Sequence, residues 1–506
     1  MQFEERERQK RRHLIKVMVA EAGMVFAVLV IVAVAILAAM GFFVGSNGSI
    51  EQSGLIQIHS TPTGGTVELD GSVLFSRTNL SRTMSAGEHH LKISRDGYDS
   101  WEKTIKMYSG MLIRLYYPRI FLENRKQEEV AALKDNLAFY SISSDKTNIL
   151  YGEKGSAEWT LVNIKNDDVR KTQLDLTEVL PEAEEKKFGG GVEILEWNKD
   201  SDHVLVRVTT TQKTEWILVN LKDVNKSLNL SKTFGLEFER IEMMDHSAAQ
   251  LFALENHHLR KINTSDQAIS RVLLESVLDF DTNGTDMIYV AQRKKDEQSE
   301  KIVGVYRDGE KAGTVVASFA QEKSVKVALT GYYDEDYLVI VDDDNVNIQY
   351  GTLPSYREDM SDLGEDSELK YLVTDLALSV VPKQLKVSPD GEYIVAQNEM
   401  QYMVIDLDMG DLYEYSLDTG NMHCFEDGMM SVIANGNLEV FDFDHTNRRM
   451  LVQKVDAGNS ELSAVTTRSK NAVLDYDIAI ANNSKWLYYV VRSDDGLSLV
   501  REKVRE

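Results

Sequence analysis

The residues best suited to chemistry lie in one acidic run, Asp279-Phe280-Asp281-Thr282-Asn283-Gly284. It puts side-chain oxygens at positions 1, 3 and 5 and glycine at position 6, as a calcium-binding loop does. The twelfth position, which needs a bidentate Glu, is Val290. Without that ligand a strand turn rich in Asn, Asp and Gly is the better reading, and calcium at Asp279, Asp281 and Asn283 the weaker one. A second cluster, Asp342-Asp343-Asp344-Asn345, has no Gly at the required offset and reads as a solvated turn. His89-His90 and His257-His258 are adjacent pairs, which on a strand point to opposite faces and chelate poorly. Cys424, the lone cysteine, excludes an internal disulfide and a cysteine-based metal site, and beside Phe425 on an expected strand it reads as a buried small residue. The chain has no Gly-x-Ser-x-Gly elbow, P-loop, strand-linked dinucleotide fingerprint or His-Glu-x-x-His. Carboxylates are too numerous for any pair to be diagnostic. These residues predict no catalytic group, no cofactor beyond the weak calcium reading, and no enzyme.

The elements that would position such residues follow from composition. The 506 residues exceed one ordinary core, and 43% apolar content is too much for a disordered chain. A net charge of -25 argues against a nucleic-acid partner. That charge is uneven: residues 1–21 sum to +2 and the rest to -27. From Ala22 through Val28, Ile31 and Leu37 to Val44 no residue is charged. As a helix these residues would span roughly 34 Å, enough for a bilayer core. The stretch outruns a cleaved signal's apolar region, basic residues precede it, and the next Lys or Arg is Arg77. An uncleaved signal-anchor is expected, single-pass in the cell membrane, with the N-terminus cytoplasmic and the remainder extracytoplasmic.

After a linker over 45–53, alternating apolar and polar residues begin at Leu55-Ile56-Gln57-Ile58. Turns follow at Thr61-Pro62-Thr63-Gly64-Gly65, Asp70-Gly71, Ala86-Gly87 and Asp96-Gly97-Tyr98, so five or more short strands make a small β-sandwich. The run from Ser60 to Gly71, then Gly87-Glu88-His89-His90-Leu91 and Gly97-Tyr98, resembles the PEGA domain of prokaryotic surface proteins over residues 54–118. Where that family usually has a Gly-x-Thr-Pro-like step, this chain has Ser76-Arg77-Thr78-Asn79. The resemblance implies a surface module without catalytic residues and carries no ligand with it.

Residues 119–136 read as a linker, its Glu- and Lys-rich part either helical or leading into the next domain. From 137 to 506 one grammar repeats: apolar strand, polar turn, apolar strand. Taking Ile149, Val204, Leu251, Ile288, Leu338, Ile394, Val432 and Leu487 as equivalent gives spacings of 55, 47, 37, 50, 56, 38 and 55. Such periods with four strands each predict a β-propeller of seven or eight blades. The turn Ser388-Pro389-Asp390-Gly391 is similar to the turns of WD40-like and periplasmic propellers. Two acidic insertions, 177–187 and 351–370, mark loops.

The expected architecture is therefore all-β: a basic tail (1–21), a membrane helix (22–44), a PEGA-like β-sandwich and a propeller. The expected function is an envelope binding or scaffold protein, with the PEGA module as stalk and the propeller as platform. Its partners would be envelope proteins or cell-wall polymer. The alternatives are a glycan binder, which needs exposed Trp and Tyr, and an envelope enzyme, which needs polar side chains with perturbed pKa converging in the channel.

Overall fold

A computed structural model describes residues 2–39, 42–44, 50–180, 191–210, 213–295, 298–356, 369–379, 381–388, 390–398, 401–408, 410–416, 422–454, 467–493 and 496–506. Most of both acidic insertions, together with Pro181 and Pro389, lies outside these residues. The chain divides into two compact units, Met1–Phe121 and Leu122–Glu506.

In the first unit a helix runs Gln2–Ala39. It starts well before the apolar stretch because the Glu, Arg, Gln and Lys of the basic tail are good helix formers, with no Gly or Pro among them. It stops short of the expected end: Val44 lies on the strand Phe42–Val44, paired with Ile50–Gln52. The 20 residues Met18–Leu37, with mean hydropathy 2.7, are long and apolar enough to cross a membrane. Phe26, Ile31 and their neighbours have no protein surface to cover them.

The rest of this unit is two small sheets. One holds Leu80–Met84, Gly54–Ile58 and Leu112–Leu115, the last pair parallel. The other runs Ser72–Arg77, Thr66–Leu69, Gly87–Ser94, Trp101–Met107. Period-2 alternation turns Ile56 and Ile58 inward, and Val67, Leu91, Ile93 and Trp101 join them in the core. At the atypical Thr78-Asn79 step the chain crosses from one sheet to the other, and no hairpin forms there. Thr78 is buried, and its hydroxyl accepts the Gly65 N–H at 2.9 Å and meets Ser60 Oγ at 2.5 Å.

Among the described residues of the second unit, eight sheets follow one another along the chain. Six are four antiparallel strands in chain order; the seventh adds Thr467–Ser469 in parallel. The eight residues taken as equivalent each fall on the second strand of a different sheet. Those strands read as near-continuous apolar runs because both their faces are covered: Val204, Leu205 and Val206 are all wholly buried.

Each sheet packs on the next. Trp159 and Trp197 join the first and second, Trp216 and Met243 the second and third, Phe252 and Phe280 the third and fourth. Val290 with Leu338, then Val339 with Ile394, continue to the sixth. Tyr393 stacks on Phe443 at 4.3 Å to reach the seventh. Trp486 and Tyr488 of the eighth then pack with Tyr140 and Ile149 of the first. Repeated sheets stacked this way fit a propeller.

The segment expected as a linker takes part in this core. Gln127–Leu133 is a strand antiparallel to Gly496–Lys503, so the start of the unit completes its last sheet. A wholly buried ion pair locks the junction: Arg125 Nε lies 3.2 Å from Glu502 Oε2, and the guanidinium also donates to the carbonyls of Leu122 and Leu451 at 2.7 Å each. Tyr489 and Thr467 donate to the same carboxylate. With its charge paired and its lone pairs filled, the buried carboxylate is tolerable.

Candidate functional site

The polar turn after each first strand brings side chains to one end of the sheets. In the turn from Ser388 to Gly391, Ser388 Oγ donates to Asp390 and accepts the Tyr393 N–H at 2.9 Å, and Gly391 N donates to Ser388 O at 2.9 Å. Gly391 has φ +77°, and a Cβ there would collide with the Gly331 carbonyl of the preceding sheet. Pro389 lies outside the described residues. The same turn recurs without its proline or glycine. Lys146, Ser201 and Ser484 hold the left-handed position, each donating its N–H to the carbonyl three residues back at 2.8, 3.0 and 2.7 Å. Ser143 and Asp145 repeat the roles of Ser388 and Asp390, with the hydroxyl–carboxylate bond at 2.6 Å.

The first strands of the third to sixth sheets border a cavity of about 820 Å³, lined by Arg240, Asp279, Asp281, Lys326, Thr330, Gln384 and the Ser388 turn among others. A second cavity of about 260 Å³ lies among the first strands of the first, sixth, seventh and eighth sheets, lined by Lys146, Lys386, His423 and Asp477 among others. The two share Ser144 and Val387.

One charged cluster reaches the larger cavity through Arg240, His246, Asp279, Asp281 and Lys326, with Glu242 and Glu196 bonded to it from outside the lining. Arg240 pairs with both Glu242 and Asp279 and lies 5.1 Å from the Phe280 ring centre. Lys326 Nζ approaches Asp279 at 4.0 Å. Glu196 accepts the Met243 N–H at 2.8 Å and holds His246 Nδ1 at 2.9 Å, a bond that raises the imidazole pKa. Burial pushes the Glu242 carboxyl up to about 8, against the pull of Arg240 and helped by the negative charges of Asp281 and Glu196. Burial likewise raises Asp281, whose carboxylate accepts the Leu329 N–H at 2.8 Å. The cluster thus joins a carboxylic acid, carboxylates and a fixed cation, a set able to bind polar groups or move a proton.

Asp279, Asp281 and Asn283 all line this cavity, but on an extended strand, Val277–Asn283. At about 3.3 Å rise per residue their side chains sit some 6.6 Å apart in sequence and cannot converge as a calcium loop's do. Asp279 is engaged by Arg240, Asp281 by Leu329 N, and Asn283 Nδ2 donates to Asp336 at 3.3 Å. Among the described residues no group of three or more His, Cys, Asp or Glu is arranged to hold a metal ion. Asp342 and Asp343 are taken up by Lys323 Nζ at 3.1 and 2.8 Å. His257, expected on a strand, is instead in the turn before His258, with φ +62°. Cys424 borders the smaller cavity, and burial pushes its thiol up to about 11, which keeps it protonated and inert.

In the small module, Thr61 donates its N–H to Pro118 O at 3.0 Å and Ser60 Oγ donates to Pro62 O at 2.8 Å. Gly64 donates to Thr78 O at 2.7 Å, while Gly65 lies so close to Ile93 that a side chain would not fit. Asp70, at the turn with Gly71, accepts the His90 N–H at 2.9 Å and pairs with His89 Nδ1 at 2.7 Å; the His89 bond first, then the backbone bond, lowers its pKa. Gly87 and Gly97 also have positive φ, and Tyr98 is buried with Arg95 5.1 Å from its ring centre. These residues are turn and core groups and converge on no pocket. Missed at the sequence level were Arg240, Glu242 and Lys326, which carry no motif and meet only because neighbouring sheets bring their first strands together.

Residues 53–118 match the family model of the PEGA domain, so this module is a PEGA domain. No curated protein matches the chain. Among solved structures it is similar to an oligogalacturonate lyase in complex with manganese, 10% identical, covering 61% of this chain and 88% of that one, TM-score 0.38. It is also similar to apo AztD from Citrobacter koseri, 10% identical over 76% and 94%, TM-score 0.36. A eukaryotic initiation factor is 9% identical over 64% and 90%, TM-score 0.37. The lyase corrects one expectation. The chain was expected not to be an enzyme, yet an enzyme stands among the structures it resembles, so that exclusion does not hold. Likeness this distant carries no activity over.

Proposed function

We propose that this chain is a single-pass surface protein, N-terminus inside, whose eight-bladed propeller presents a binding channel to an envelope protein or cell-wall polymer outside the membrane. The PEGA domain is its stalk. The observation that carries this reading is the cavity of about 820 Å³ bordered by first strands of four consecutive sheets and lined by charges of both signs. The apolar span Met18–Leu37, the basic residues before it and the occurrence of PEGA domains in extracellular proteins support the location. The packing of the eighth sheet on the first supports eight blades.

Photo-crosslinking in the native membrane tests the channel. A photoreactive residue replacing Lys326 or Gln384 is expected to trap one partner, and the same residue at Thr172, exposed on an outermost strand, none. Equal adducts from all three positions would remove the channel as the site. Protease added to intact cells is expected to cut the second unit, and its survival there would reverse the orientation.

Acid–base catalysis at the same cavity is the second reading, favoured by Asp281 in its lining and by Glu242, raised by burial and paired with the lining Arg240. It predicts that Glu242→Gln abolishes any turnover of cell-wall polymer by the full chain while leaving the crosslinks intact. The glycan-platform alternative rests on exposed tyrosines, Tyr333 and Tyr371, since all five Trp are buried.

A further inference from the structure

The PEGA domain has an exposed apolar edge that a channel-binding platform does not use. Strand Ser72–Arg77 ends its sheet and is paired on one side only. Phe75 is fully exposed and Val73 is 66% exposed. They lie two residues apart on a stretch whose pairing is irregular between Val73 and Arg77. Proteins normally blunt such an edge with charge or cover it. The strand ends in Arg77, and Arg82 follows on Leu80–Met84 of the other sheet; both are exposed and without a side-chain ion-pair or hydrogen-bond partner among the described residues.

The charge of the chain points to what covers it. Residues 45–121, on the PEGA side of the apolar span, sum to +1 and residues 122–506 to -28, so the strongly acidic part of the chain is the part further from the span. The tether is short as well. From Ala39 to Gly54 the chain reaches at most about 50 Å when fully extended, and the pairing of Phe42–Val44 with Ile50–Gln52 doubles it back. A surface held this near a bilayer meets it at high effective concentration.

We propose that the strand Ser72–Arg77 docks on the anionic lipid surface of the bilayer that holds Met18–Leu37. Phe75 and Val73 enter the boundary between headgroups and acyl chains, and Arg77 and Arg82 engage lipid phosphates. Aromatic and apolar groups favour that boundary, and guanidinium groups suit phosphate. This docking rests on the membrane anchor proposed above but not on its orientation, since both faces of a reconstituted vesicle can carry the same lipids.

The test uses the full chain in vesicles of phosphatidylcholine and phosphatidylglycerol containing a diazirine phospholipid, with adducts mapped by mass spectrometry after irradiation. Adducts are expected on 18–37 and on 72–77. Those on 72–77 should rise with the phosphatidylglycerol fraction and fall at least fivefold in the double variant Arg77→Glu, Arg82→Glu, which keeps Phe75 and Val73. Adducts on 18–37 serve as the internal control, and their absence would defeat the anchor itself. Adducts confined to 18–37, labelling of 72–77 indifferent to anionic lipid, or a crosslink from this strand to a second copy of the chain in its place would each overturn the docking.

Discussion

Glu242 shows how burial can outweigh an ion pair. Its carboxyl touches Arg240, yet burial pushes its pKa up to about 8. An acid held protonated in the folded chain but ionised in the unfolded one loses stability as pH rises from about 4.5 to about 8. Glu242→Gln is therefore expected to raise Tm at pH 8 and leave it nearly unchanged at pH 4.5; equal shifts at both would show that Glu242 is ionised throughout. The recurrent turn gives a second pair of expectations. Gly391→Ala should cost more than about 1–2 kcal/mol, from left-handed strain and the collision with Gly331. Lys146→Gly should gain about 0.5–1 kcal/mol by relieving the same strain. Denaturant melts of the full chain in detergent measure both. At this scale the turns were partly legible. Ser388-Pro389-Asp390-Gly391 announces itself, whereas the turns ending in Lys146, Ser201 and Ser484 adopt its backbone without its Pro or Gly, because the hydrogen bond to the carbonyl three residues back dictates the conformation.

Among the elements, the second strand of every sheet was legible because burial on both faces leaves an apolar run that survives changes in loop length. Gln127–Leu133 was not. Its Gln-Glu-Glu start and exposed positions are those of an outermost strand, and its partner is far off in sequence. The helix boundary was misplaced for a related reason: charge marks where a membrane segment ends, but the helix itself continues into a tail of good helix formers. The strand's importance is measurable at Arg125. Arg125→Met leaves Glu502 buried without its cation and is expected to cost about 3–5 kcal/mol. The double change Arg125→Met, Glu502→Leu should cost less than Arg125→Met alone. A double variant less stable than the single one would show that the ion pair does not govern this junction.

Across the whole molecule, raised carboxyls outnumber lowered ones around the cavities: Asp281, Asp390 and Asp477 are all raised by burial, and Glu392 reaches about 8. On the other side, burial would raise Asp202, but hydrogen bonds from Lys222 and His203 prevail and lower it to about 2. Its stabilising effect is thus lost as pH falls from about 3.8 to about 2. Stability is expected to peak on the mildly acid side and to decline toward pH 8, a trend reinforced by self-repulsion in a unit carrying -28. A thermal series at pH 5, 6.5 and 8 with the highest Tm at pH 8 would contradict this. The apolar helix and the repeat could be read from periodicity and charge, and the PEGA domain from the resemblance of its turn motifs. The cavities could not, since they arise where first strands distant in sequence are set side by side.

The joined ends of the second unit also constrain its synthesis. Glu128 and Arg501 are bonded at 2.9 Å across 373 residues of chain. Whatever folds while the polypeptide is being made, Gln127–Leu133 waits with a bare edge until Gly496–Lys503 has been translated. That makes completion of the unit a late, long-range event, and the waiting strand the natural place for a holding chaperone to act.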